Sequence, residues 1–250
     1  MKISRREAIK TASLASAGVL LSRCGGDVPP RRPNVIYVMT DDQTIDQMSC
    51  YGSTLIKTPS MDRLAAEGVR FTRSYVTNSL CAPSRATVLT GCYSHVHGIR
   101  GNSEGQDIEV LDPNLPTFPV LLQQAGYRTA VVGKWHLPQE PVGFDYSCIL
   151  PGQGLYVDPD FIENGVRKTY TGYATDLTTD FALEFLKTTS PDEPFLLVYQ
   201  HKAPHRPFTP ADRHAHLLAD VEIPYPPSFD DDYATRPIAA EAEDMKFDIS

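Results

Sequence analysis

Three short apolar runs, each ending in a polar or charged cluster, constrain this chain more than any other feature. Val35-Ile36-Tyr37-Val38-Met39-Thr40 runs into Asp41-Asp42. Arg128-Thr129-Ala130-Val131-Val132 runs into Gly133-Lys134-Trp135-His136, and Phe195 to Tyr199 runs into Gln200 to His205. Such runs predict strands buried in a parallel sheet. Helical segments lie between them. Thr58-Pro59-Ser60 opens a helix that continues to about Glu67 and stops at Gly68. Pro83 to Leu89 suits a helix with proline in its first turn, and Phe118 to Ala125 is helical up to Gly126. Asp176 to Lys187 carries Leu177, Phe181 and Phe185 at helical spacing. Val69 to Val76 is expected to form a further strand. Strands alternating with helices predict an α/β fold with a mostly parallel central sheet. In such sheets ligands bind beyond the carboxyl ends of the strands. Asp41-Asp42, Lys134 to His136 and Lys202 to His205 are therefore expected along one edge.

At 250 residues and 41% hydrophobic content the chain can bury one core and does not require two domains. The formal net charge of -8, with both signs mixed along the chain, argues against a nucleic-acid partner. It also means that a site for an anionic substrate must gather its positive charge locally. Residues 1–30 read as an export signal and linker, and residues 31–250 as part of one domain. Ser4-Arg5-Arg6, Lys10 and the small, apolar stretch from Thr11 to Leu21 resemble a twin-arginine signal, which predicts a periplasmic, cell-surface or secreted location. Cys24 stands where a lipid anchor would be attached, preceded by Arg23. The remaining cysteines, Cys50, Cys81, Cys92 and Cys148, form no CxxC or Cys/His zinc spacing.

Two clusters carry chemistry. Adjacent carboxylates at a strand end, Asp41 and Asp42, repel each other unless a hard cation relieves the cost; a helix cap or solvated turn is the alternative. Cys81-Ala82-Pro83-Ser84-Arg85 places a thiol just before a helix N-terminus, where free N–H groups bind anions. Arg85 adds a fixed fork of donors suited to sulfate or phosphate oxygens. A buried structural cysteine is the plainer alternative.

Cys81-Ala82-Pro83-Ser84-Arg85, followed by Ala86 and Leu89-Thr90-Gly91, resembles the signature of the type I sulfatases. The resemblance extends in family order through Pro33-Asn34-Val35 to Asp41-Asp42, Thr58-Pro59-Ser60-Met61-Asp62-Arg63-Leu64 and Gly68-Val69-Arg70-Phe71. It continues through Gly133-Lys134-Trp135-His136 and Lys202-Ala203-Pro204-His205, covering Arg32 to about Pro210. Asp158 to Gly165, Gly172 to Asp176 and Tyr199 to Arg206 look most like the branch acting on N-acetylglucosamine-6-sulfate in glycosaminoglycans or mucins.

The resemblance implies an alkaline-phosphatase-like three-layer fold and hydrolysis of sulfate esters on carbohydrate. It also implies calcium and the conversion of Cys81 to formylglycine by a maturase. Cys81, Arg85, Lys134, His136 and His205 are then catalytic, Lys202 binds substrate, and Asp41, Asp42 and residue 81 hold the metal. Arg85 and Lys134 stabilise negative charge, His205 serves the leaving sugar oxygen, and His136 drives sulfate release. His95 and His97 remain unassigned, while Arg100, Asn102 and Trp135 are candidates for shaping the sugar site. Members of the family take a second metal-binding pair from a later strand, and none is expected after His205, so the sequence resembles an N-terminal part with its fold incomplete at the C-terminus. Two readings stay open beside the sulfatase. One is a truncated, inactive sulfatase-like chain; the other is a phosphonate or phosphate ester hydrolase of the same superfamily.

Overall fold

The structure, a computed structural model, describes residues 32–102, 108–226 and 229–230. The expected export signal and Cys24 lie outside the described residues. Contacts divide the chain into two units. One runs to Met39 and resumes over Val76–Lys202; the other takes Thr40–Tyr75 and continues from Ala203.

The three apolar runs form strands β1 (Val35–Asp41), β2 (Arg128–Lys134) and β6 (Phe195–Pro204). With β3 (Tyr146–Leu150), β4 (Asp160–Glu163) and β5 (Val166–Thr169) they make one six-stranded sheet of order β1-β6-β2-β3-β4-β5. The centre is parallel, β2 pairing with both β6 and β3, and the β4-β5 edge is antiparallel. β2 and β6 extend past their apolar runs because the ladder continues in register to Gly133 opposite Gln200. Lys134 is therefore the last residue of a strand rather than the start of a loop.

Alternate strand residues face opposite sides of the sheet. On one face Val131, Ile149, Leu196 and Val198 pack against Ala82, Ala86 and Leu89 of helix α2 (Cys81–Thr90), with Phe118 and Leu122 of α4 (Phe118–Gln124) alongside. On the other, Ala130, Val132, Cys148, Leu150 and Leu197 pack against Ala182 and Phe185 of α5 (Ala174–Thr188). The expected three layers are thus α2 with α4, the sheet, and α5. At the outer position of the sheet order, Ile36 and Val38 of β1 are each about half exposed. The short helix α3 (Ser94–His97) follows α2.

The β4-β5 hairpin turns on Asn164 and Gly165, both at positive φ (48° and 81°). This is the turn in which an Asn-Gly pair reaches left-handed conformations at little cost.

In the second unit, α1 (Pro59–Glu67) starts with proline in its first turn, as expected. Ser49 Oγ donates to Asp62 Oδ2 at 2.8 Å and accepts the Thr58 N–H at 2.7 Å, fixing the start of the helix. The strand expected over Val69–Val76 does not form. Val69, Phe71, Tyr75 and Val76 are all exposed. No described strand pairs with the segment, and the Phe71 carbonyl instead accepts the Tyr51 hydroxyl at 2.9 Å. High β-propensity without a pairing edge and a buried face is insufficient. Among the described residues no helix is long and apolar enough to cross a membrane.

Candidate active site

Helix α2 begins at Cys81 itself, with Leu80 as its N-cap. Cys81 therefore occupies the first helical turn, because the helix starts two residues before the expected Pro83. Asn102 Oδ1 accepts the Ala82 N–H at 2.9 Å, satisfying one of the donors that a helix N-terminus leaves open. Arg85 lies one turn along, so it shares a face with Cys81.

Arg85 is buried. Its Nη1 donates to the Lys134 carbonyl at 2.5 Å and to Gln200 Oε1 at 2.6 Å. Lys134 is fully buried, and its ammonium donates to Gln153 Oε1 at 2.7 Å and lies 3.5 Å from Cys81 Sγ. A thiol at a helix N-terminus thus has an ammonium beside it and a guanidinium one turn away. Helix N–H groups and cations both favour an anion at that point. Gly133 makes the arrangement possible. At φ 97° it is in a conformation glycine reaches without strain, and a Cβ there would lie 1.8 Å from the Gln200 carbonyl oxygen.

His136 follows β2 with φ 55° and lines a cavity of about 290 Å³ shared with Asn102, Glu109, Trp135 and Gln139. The Trp135 indole donates to the Gln139 carbonyl at 2.7 Å, and its ring meets Phe144 edge-on. Glu109 accepts the N–H of Arg100 at 2.5 Å and that of Gly101 at 3.1 Å, and these donors hold its carboxyl below the usual range. Of the sugar-site candidates, Asn102 and Trp135 line this cavity, while Arg100 pairs with Glu109. Lys202 is buried near the end of β6, with Nζ 4.8 Å from the centre of the Tyr156 ring; that ring stacks on Tyr173.

His97 belongs to the packing. It is fully buried, its Nδ1 accepts the Ile99 N–H, and its Nε2 donates to Thr87 Oγ1. Burial is the main cause that lowers its pKa.

The second unit carries the other three expected residues. β1 ends at buried Asp41, and Asp42 follows in a left-handed conformation, φ 63°. His205 Nδ1 is 2.8 Å from the Arg206 carbonyl, which can only accept, so Nδ1 carries the proton. His205 Nε2 lies 3.7 Å from Asp42 Oδ2. Two hard carboxylates at a strand end suit calcium by donor chemistry, although calcium takes six to eight oxygens and these residues supply only part of such a set.

Within the sheet unit the structure therefore gathers Cys81, Arg85 and Lys134, and within the second unit Asp42 and His205. The sequence reasoning missed Gln153, Gln200 as the partner of Arg85, and the capping role of Asn102. Neutral amides add nothing to charge or hydrophobic periodicity. Their only signal is position: Gln200 directly follows an apolar run, and Gln153 follows the short run Cys148-Ile149-Leu150.

The family model described as Sulfatase matches residues 33–235. The chain is 46% identical over 243 residues to an N-acetylglucosamine-6-O-sulfatase of Bacteroides thetaiotaomicron, covering 95% of this chain and 43% of that protein. It is 32% identical over 216 residues to the human N-acetylglucosamine-6-sulfatase, covering 78% of this chain and 38% of that one. A solved structure of BT4656, in complex with its substrate D-glucosamine-2-N,6-O-disulfate, superposes with a TM-score of 0.79 at 49% identity. That match covers 84% of this chain and 42% of the other. The chain spans less than half the length of these relatives.

Proposed function

This chain belongs to the sulfatase family, and from that membership we propose that the protein hydrolyses sulfate esters on carbohydrate. The substrate class is 6-sulfated glucosamine or N-acetylglucosamine in glycosaminoglycans or mucin glycans. It is suggested by the name of the 46% identical relative and by the ligand of the superposed structure. The observation that carries the reading is the pair of buried cations, Lys134 and Arg85, around the helix end that begins at Cys81.

In this reading Cys81 is oxidised by a maturase to formylglycine, whose hydrated aldehyde supplies the attacking hydroxyl and a route for releasing sulfate without water attacking sulfur. Asp41 and Asp42, with residue 81, are the residues that would hold calcium, which would supply Lewis-acid chemistry there. The ammonium of Lys134 and the guanidinium of Arg85, both buried, stabilise negative charge on the sulfate. His205 keeps one proton on Nδ1 through the Arg206 carbonyl, so Nε2 is the atom that passes a proton to the leaving sugar oxygen. His136, on the cavity wall, takes the proton whose removal frees sulfate. Lys202 contributes positive charge on the substrate side.

Residues 31–250 then form the N-terminal part of the catalytic domain. Residues 1–30 direct export to the periplasm or cell surface, with Cys24 as a lipid-anchor site.

The test is to express the full-length protein with a formylglycine-generating maturase. Mass spectrometry of the peptide bearing residue 81 should show the aldehyde in place of the thiol. The protein should turn over aryl sulfate with calcium present, in preference to aryl phosphonate. Preferred turnover of the phosphonate would replace the sulfatase reading with that of a phosphonate hydrolase. An unmodified thiol together with sustained turnover would move the nucleophile elsewhere.

A further inference from the structure

The residue that meets Arg85 from the strand side is a glutamine, and its chemistry is specific. Gln200 is 2% exposed on β6. Alternation places it with Leu196 and Val198 on the sheet face that α2 covers. A guanidinium only donates, so the atom 2.6 Å from Arg85 Nη1 is necessarily the amide oxygen. The same Nη1 also donates to the Lys134 carbonyl, an acceptor that side-chain substitution cannot remove. Two acceptors from two neighbouring strands therefore fix one nitrogen of Arg85. The register that brings them together is locked where Gly133 meets Gln200, because no side chain fits at residue 133.

Glutamine and glutamate are nearly identical in shape, and a carboxylate would grip a guanidinium more strongly. It would also add a negative charge beside the group that has to attract an anion, in a chain whose formal net charge is already -8. An amide oxygen aims the guanidinium and adds no charge of its own.

We propose that Gln200 is a positioning residue for anion binding, its neutral oxygen directing Arg85 toward the sulfate group while leaving the guanidinium charge to act on it. The inference rests on the sulfatase reading for the identity of the anion, and on the observed contacts for the role.

The test uses the full-length protein with calcium, inorganic sulfate as the titrant in calorimetry, and Gln200→Glu and Gln200→Met. Glutamate keeps the acceptor and adds charge; methionine keeps neutrality and approximate volume but removes the acceptor. Sulfate affinity should fall in the order wild type, Gln200→Met, Gln200→Glu, with the glutamate variant weaker than wild type by about tenfold or more, as for a hydrogen-bonded charge. In aryl sulfate kinetics Gln200→Glu should raise KM more than it lowers kcat. A purely structural role would instead lower the melting temperature without ranking the variants by charge. Should Gln200→Glu fold poorly, Gln200→Met still decides, since unchanged sulfate affinity in that variant overturns the role. So does a glutamate variant that binds sulfate as well as wild type, or a wild type that binds none. A wild type that binds sulfate but fails to turn over aryl sulfate overturns the sulfatase reading alone.

Discussion

Lys134 and Lys168 lie in the same sheet and are held in opposite ways. Lys134, at the carboxyl end of a central parallel strand, is fully buried, with its ammonium on a neutral amide oxygen and near a thiol. Lys168, on the antiparallel edge hairpin, is exposed and pairs with Glu163 Oε2 at 2.5 Å; Arg167 pairs with Asp160 alongside it. The Lys168 pair is the closest of these contacts, yet water screens both hairpin pairs and they add little to stability. The buried lysine is expensive to hold, and an anion bound beside it would help to offset the desolvation. The difference teaches that chemistry is marked by where a charge is buried, not by how short its contact is.

The comparison breaks most readily at Cys81. Cys81→Ala in the full-length, matured protein should abolish aryl sulfate turnover while circular dichroism stays that of the wild type; residual turnover near wild type would move the chemistry away from α2. Lys134→Met should cost about 10²–10³-fold in kcat, the usual effect of removing one stabiliser of transition-state charge. Gly133→Ala acts on the scaffold of the same site. Its Cβ would overlap the Gln200 carbonyl oxygen, so the loss should exceed the ~1–3 kcal/mol of ordinary overpacking. Urea denaturation measures it, and a midpoint like that of the wild type would mean that the β2–β6 approach is looser than described.

A smaller effect comes from pH. Burial holds the imidazoles of His97 and His201 below the ordinary value of 6.5. The unfolded chain therefore takes up these protons first as pH falls. The stability these rings contribute is complete above about pH 6.5 and is lost as pH drops through their lower folded values. Chemical denaturation on either side of that window should show the decline, and His201→Phe, which keeps an aromatic ring beside Tyr199, should reduce it. The smallest effect is on the hairpin: Lys168→Met should leave kcat/KM unchanged and barely move the melting temperature. A large loss of activity there would erase the contrast between the two lysines.

The apolar runs at β1, β2 and β6 and the helices with clear caps could be read from sequence because their signals are local. So could the polar residues that follow each run. β3 was harder to see, being five residues long between Asp145 and Pro151. The β4-β5 hairpin did carry a signal, Asn164-Gly165 between two short segments, although Val166–Thr169 is exposed throughout and lacks an apolar pattern. Val69–Val76 erred in the other direction, since its side chains favour a strand and the fold offers no partner. At the candidate site the charged residues were legible through spacing and family order. Gln153 and Gln200 were not, because their roles exist only once β3 and β6 bring amides to cations distant in sequence.

The outermost place of β1 has a practical consequence. A strand with half-exposed Ile36 and Val38 and no described neighbour on its far side is a template for the backbone of any chain that drifts against it. The protein should self-associate as concentration rises, and a charged residue at Val38 should suppress that without touching Cys81. Solubility is thus set at one border of the sheet and chemistry at the ends of its strands, so the two can be engineered separately.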